Sequence, residues 1–156
     1  MVCTMTLKLE FNKSQSEEIN LMFESLVNEL NSFNDLRNLL LTLHTRIEFY
    51  LEKILFSYFF IEDDYKRMNL IKIIQEFTFN KKFEIVKQLN LLDDSLKLKI
   101  SEVNKVRNMC IHYIDYISRV QSLNGLSINF LKLDAIKIES AKILIELNEA
   151  LAKNGR

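Results

Sequence analysis

With 156 residues, of which 48% are hydrophobic and 27% charged, the chain is long enough to bury one core without disulfides or a structural metal, and too apolar to be disordered. Two glycines and no proline exclude folds that need a tight turn every dozen residues or so, which leaves long helices. Basic and acidic residues balance at 21 each, which argues against tight non-specific binding of nucleic acid while leaving room for a small basic site.

Residues 1–12 alternate Leu7, Leu9 and Phe11 with Thr6, Lys8 and Glu10, the spacing of a short strand. A lone strand has nothing to pair with in a helical chain, so an N-terminal arm or tail is expected, with residues 13–153 forming one helical domain. Ser14 and Glu17 fit a capping box. After them Ile19, Met22, Phe23, Leu26, Val27, Leu30 and Phe33 recur at helical spacing, up to a break at Asn34-Asp35. A second helix is expected from Leu36 to Phe60, apolar almost all round and so central in the fold. Glu62-Asp63-Asp64 breaks it. A third helix follows over Tyr65 to Glu76, and Thr78 caps a fourth over Phe79 to Leu89. Asp93-Asp94-Ser95 caps a long fifth helix from Leu96 to about Ser122. Asn124-Gly125 is a turn, and a last helix runs from Asp134 to Ala152 with Ile136, Ser140, Ile143, Leu144, Leu147 and Leu151 inward. The expected fold is all-α, an up-and-down bundle of about five to six helices.

The two cysteines, Cys3 and Cys110, do not make the framework of a small secreted domain, and no signal-peptide pattern opens the sequence. Apolar runs such as Leu39-Leu40-Leu41 are too short to span a bilayer. A cytoplasmic location without membrane contact is the expectation.

The fifth helix carries the chemistry. Val103, Val106, Cys110, Tyr113, Ile117 and Val120 form a continuous apolar seam. At about 100° per residue the opposite face holds Asn104, Asn108, His112, Asp115 and Arg119, with Arg107 on the border. Ile111 lies beside this polar group, which hints at burial against another chain. A histidine moves protons near neutral pH, and an arginine offers a fork of donors that fits phosphate oxygens. With Asn108 orienting either one, the set suits attack of a ribose 2′-hydroxyl on the adjacent phosphate, with no metal or other cofactor required. His44, the other histidine, lies among Leu41, Leu43 and Ile47 and reads as a packed, hydrogen-bonded core residue. A two-fold dimer would supply the second proton carrier. Lys97, Lys99, Lys105 and Arg119 give the helix a modest basic bias; Lys105 and Arg119 are the substrate-binding candidates. Glu48 and Glu52 read as ordinary surface neighbours. Cys110 belongs to the seam, and the charges of the last helix, Glu139 and Glu146 among them, read as solvated surface.

Arg107-Asn108, three residues and His112 resemble the R-N-x-x-x-H form of the Rx4–6H motif of the HEPN superfamily. Phe83 to Leu89, Leu91-Leu92 and the helix leading to Val106-Arg107-Asn108 are similar to the layout before that motif, and the resemblance covers roughly residues 35 to 120. It implies an HEPN-like bundle, a homodimer with a composite cleft, and a metal-independent ribonuclease of a toxin–antitoxin or phage-defence system, with RNA as substrate. Arg107 and His112 would be catalytic and Asn108 supporting, with Glu48 a further supporting candidate on the second helix; Asp115 is a supporting candidate by its spacing, three residues after His112. In relatives whose nucleotidyltransferase-like antitoxin modifies a tyrosine, that tyrosine stands two residues after the histidine; Ile114 holds that place here, between Tyr113 and Tyr116. Several HEPN branches only bind, so the alternative is a non-catalytic module for a nucleotide or partner protein.

Overall fold

A computed structural model of the chain describes residues 17–154, and all of their regular structure is helical. Seven helices follow in order: α1 (Glu17–Ser32), α2 (Leu36–Tyr58), α3 (Asp64–Glu76), α4 (Phe79–Gln88), α5 (Asp94–His112), α6 (Tyr116–Gln121) and α7 (Leu133–Asn154). The all-α bundle is the architecture expected. The arm at residues 1–12 and the Ser14 cap lie outside the described residues.

Helix starts follow the short polar side chains that compete for first-turn amides. Asp35 Oδ1 accepts from the Asn38 amide at 2.9 Å, Asp63 Oδ1 from Lys66 at 2.9 Å, and Thr78 Oγ1 from Lys81 at 3.3 Å. Each such cap contributes roughly 1 kcal/mol. Asp93 occupies the same position before α5 without a side-chain bond, so the expected cap there reduces to the charge of Asp94 in the first turn. The end of α4 is set by Asn90 at φ 51. Its amide donates to Lys87 O at 3.0 Å and the next, that of Leu91, to Val86 O at 3.1 Å, which satisfies two last-turn carbonyls. At the Asn124-Gly125 turn, φ of Gly125 is 79 with open space around it, so the left-handed backbone alone calls for glycine.

α2 is the central helix and packs against α3, α4, α5 and α7. Leu39, Leu40, Leu43, Ile47, Leu51, Ile54 and Leu55 are buried along it. Burying each such side chain stabilises the fold by about 1.5–3 kcal/mol. Its outer edge is open, however: Phe49 and Phe60 are exposed, with the Lys53 ammonium 5.2 Å from the first ring centroid and the Arg67 guanidinium 5.7 Å from the second. α7 buries the expected stripe from Ile136 to Leu147, with Leu151 half-buried, and its polar member is satisfied because Ser140 Oγ donates to Ile136 O at 2.6 Å. Glu139 and Glu146 are not free surface charges. Both pair with Lys99, at 3.4 and 3.6 Å, and tie α7 to α5.

The long fifth helix is the main correction. α5 stops at His112, Tyr113 is extended (φ -128, ψ 131), and a separate α6 begins at Tyr116. Arg37 of α2 donates from Nη2 to the Tyr113 carbonyl at 3.4 Å, which holds a carbonyl the helix would otherwise use. Val103, Val106, Cys110 and Val120 are buried as expected, but Tyr113 and Ile117 are exposed.

Beyond α6 the chain returns to α7 under a clamp. The buried Glu102 of α5 accepts from the Ser127 amide at 2.6 Å, Ser127 Oγ at 2.8 Å and the Ile128 amide at 3.2 Å. Glu102→Ala should therefore lower stability by about 2–3 kcal/mol, because three donors lose a charged acceptor. The Ser127 and Ile128 amides should also exchange faster with solvent; unchanged exchange and an unchanged denaturant midpoint would show that the carboxylate holds nothing.

Candidate functional site

α2 and α5 run antiparallel, since His44 meets Asn104 and Arg37 meets Tyr113. This places the polar residues of α5 along the edge of the central helix. Arg107 is half-buried; its Nη1 donates to Asn108 Oδ1 at 3.0 Å, while its Nε is buried without a partner. A buried donor left unmade costs about 1–3 kcal/mol, and Arg37 Nε is in the same position; any phosphate oxygen would meet the rest of the Arg107 fork rather than the enclosed Nε. His112 is the last residue of α5 and is exposed. It stands about 7.5 Å along the axis from Arg107 and about 140° around it, while Asn108 and His112 share one row. Asn108 thus contacts the guanidinium and lies one turn before His112 on the same row.

The break after His112 removes Asp115 and Arg119 from this row. Asp115 precedes α6 and Arg119 lies within it. Arg119 Nε donates to Asp115 Oδ1 at 3.0 Å, and the guanidinium sits 3.6 Å from the Tyr113 ring centroid. The Arg119 hydrogen bond holds the Asp115 carboxyl below its usual range. The two form a local pair at the corner, on a different helix from Arg107. Lys105 is exposed on α5. Lys97 pairs with Asp94 at 3.1 Å and Asn90 at 2.7 Å, so less of the basic bias is free than the sequence suggested.

Glu48 is not an ordinary surface residue. Lys82 of α4 is buried with its Nζ 2.6 Å from Glu48 Oε1 and 2.6 Å from Glu52 Oε1. Burial alone would push the ammonium pKa down; the hydrogen bonds and charges of the two carboxylates outweigh it and raise it. Sequence reasoning did not find this triad. Its signal was Glu48 and Glu52 on one row of α2, a like-charge pair that is unfavourable unless a cation lies between.

His44 is the packed, hydrogen-bonded residue expected. Its Nε2 lies 3.1 Å from Asn104 Oδ1, Asn104 Nδ2 donates to Asn80 Oδ1 at 3.1 Å, and the ring stacks on Phe79 with centroids 4.0 Å apart. Burial first, then the charge of Arg107, push the imidazole below its ordinary range, against the Asn104 hydrogen bond and the Glu48 charge. The unfolded chain therefore takes up a proton at higher pH than the folded one. The contribution to stability is fully present above the ordinary histidine pKa of about 6.5 and is lost as pH falls through it towards the lower folded value. Between about pH 7.5 and about pH 5.5 the thermal midpoint should fall more in the wild type than in His44→Gln. Equal falls would show that this ring does not carry the linkage.

Cys110 is fully buried, and burial pushes its thiol up, which suits a core residue rather than a nucleophile. Among the described residues no group of three histidine, cysteine or acidic side chains is arranged to hold a metal ion, and no helix is long and apolar enough to cross a membrane. Ile111, Ile114 and Ile117 flank His112 and are exposed, Ile114 to 99%. Beside them Leu36, Tyr116, Ile117, Phe130 and Leu131 line a cavity of about 250 Å³. Comparison with protein-family models, curated proteins and solved structures finds no match to this chain.

Proposed function

We propose that the chain is an endoribonuclease that cleaves RNA by attack of a ribose 2′-hydroxyl on the adjacent phosphate, using side chains of α5 and no metal. The observation that carries this reading is the half-buried Arg107, steadied by Asn108, on the helix that ends in the exposed His112. Arg107 would bind the phosphate and stabilise charge on its oxygens as the pentavalent state forms, and His112 would handle a proton. Lys105 and Arg119 remain the candidates to guide RNA towards them. The exposed Ile111, Ile114 and Ile117 support a homodimer in which a second copy covers this face. A cytoplasmic toxin or antiviral defence component, held in check by an antitoxin such as a nucleotidyltransferase-like partner, fits the resemblance of the motif. The same apolar face favours a second reading, a non-catalytic module that binds a partner protein there.

The test is cleavage of a single-stranded RNA in excess chelator by wild type, Arg107→Ala and His112→Ala. Chelator-resistant cleavage by the wild type, reduced about 100-fold or more in each variant, is the expected result. Equal background in all three removes the nuclease and leaves the binding module.

A further inference from the structure

We propose that His44 is the general base of the Arg107 site, so that a single chain carries both proton-transfer groups. The inference rests on the nuclease reading and names a residue that reading leaves in the core.

Three features separate His44 from a passive core histidine. Its ring is fixed on two sides, by the stack on Phe79 and by the Nε2 contact to Asn104. The Asn104 amide is itself oriented, because its Nδ2 donates to Asn80 Oδ1. With Asn104 Oδ1 towards the ring at 3.1 Å, Nε2 is the nitrogen that donates and Nδ1 is left as a bare lone pair, the tautomer that the NMR experiment below reads. Among the described residues Nδ1 has no hydrogen-bond partner, and 5% of the residue's surface stays open. A base whose far nitrogen is anchored by a third group is the arrangement that activates a hydroxyl nucleophile.

The position is also right. Asn104, whose Oδ1 lies 3.1 Å from the His44 ring, is three residues before Arg107 on α5, so the ring lies beside the turn that carries Arg107, whose charge disfavours the imidazolium. The groups that face His44 are Arg107 and Asn104 from α5, Asn80 and Phe79 from α4, and Glu48 from its own helix, with Lys82 neutralising Glu48. Burial, and after it the charge of Arg107, favour the neutral imidazole, the form a base requires. A phosphate docked on Arg107 would present its neighbouring 2′-hydroxyl to that ring. The O2′ proton passes to His44 Nδ1 as the O2′–P bond forms; the P–O5′ bond breaks, and O5′ takes a proton from His112. The products are a 2′,3′-cyclic phosphate and a 5′-hydroxyl, with both protons accounted for.

The experiment combines rates with the imidazole itself, in the full chain. His44→Gln should lower kcat by about 100-fold or more with KM little changed, because Gln keeps an amide for Asn104 but accepts no proton. Asn104→Asp should raise the pH of the acid limb of kcat/KM, since a carboxylate favours the imidazolium. In the wild type, nitrogen NMR should show the Nε2–H tautomer of His44, and inorganic phosphate should perturb its Nδ1 resonance unless Arg107 is changed to Gln. A wild type that cleaves no RNA overturns the nuclease reading and the base role together. Cleavage unimpaired in a folded His44→Gln overturns the base role alone. If His44→Gln does not fold, the wild-type spectrum decides: an Nδ1–H tautomer, or no response to phosphate, overturns the proposal.

Discussion

Lys82→Met should destabilise the chain by about 3 kcal/mol, the lower end of the 3–5 kcal/mol expected when one partner of a buried ionic group is removed. The methionine keeps most of the stem volume, so the loss comes from charge rather than from a cavity. Lys82 is 2% exposed and holds two carboxylates on α2, Glu48 and Glu52, whose side chains are 32% and 19% exposed. Without the ammonium these carboxylates face each other across one turn, where like charges repel. Their partial exposure lets water relieve part of the cost, which is why the lower end applies. Lys82→Met combined with Glu48→Gln and Glu52→Gln should recover most of the stability, because neutral groups of similar shape need no counter-ion. Denaturant midpoints of the three proteins check this. A single variant as stable as the wild type would mean that the triad is not formed in solution. A triple variant no better than the single would mean that the stem of Lys82, not its charge, is what α2 and α4 require.

That triad shows where the sequence was readable and where it was not. The spans of α2, α3, α4 and α7 were legible to within one or two residues. Their starts are written locally in Asp35, Asp63 and Thr78, and their inner faces in the three-and-four spacing of apolar residues. The end of α5 was not. Tyr113, Ile117 and Val120 continue the apolar spacing across the break, and neither proline nor glycine marks it. What helps to stop the helix is Arg37, 76 residues earlier in the chain, which takes the Tyr113 carbonyl and lies over the Tyr116 ring at 4.9 Å. A tertiary contact of that kind leaves no local pattern. The same limit governs the site. Arg107, Asn108 and His112 were visible because their spacing on one helix is a property of the sequence. The partners that α2 and α4 supply were not. His44 was placed in the core by its neighbours in sequence, correctly, but only the pairing of α2 with α5 brings it to Asn104 and into the field of Arg107. The placement of Asp115 and Arg119 on the row of His112 did not hold, for the opposite reason. A helical wheel drawn through the break put them on the row of His112, whereas the corner gives them to each other.

Arg107→Lys should be almost as damaging to RNA cleavage as Arg107→Ala, lowering kcat by about 100-fold with the fold intact. The two residues carry the same charge, so the comparison separates charge from geometry. Arg107 can use its planar fork in two directions at once: Nη1 is committed to Asn108 Oδ1 at 3.0 Å, which leaves Nη2 for a phosphate oxygen. A lysine ammonium is one point on a flexible stem; if it keeps the contact to Asn108 it gives up the second donor, and if it reaches for the phosphate it releases Asn108. Lysine should therefore retain phosphate binding better than it retains rate, with KM raised only a few-fold, because the interactions it lacks are those that strengthen as charge builds on the phosphorane oxygens. It should also leave His44 under a nearby positive charge, so the acid limb of the pH profile should move little, whereas Arg107→Gln should shift it to higher pH. Steady-state kinetics of the three variants on one RNA decide the matter. A lysine variant close to wild type in kcat would mean that Arg107 acts only as a positive charge, and the geometry of its fork would then have no part in catalysis.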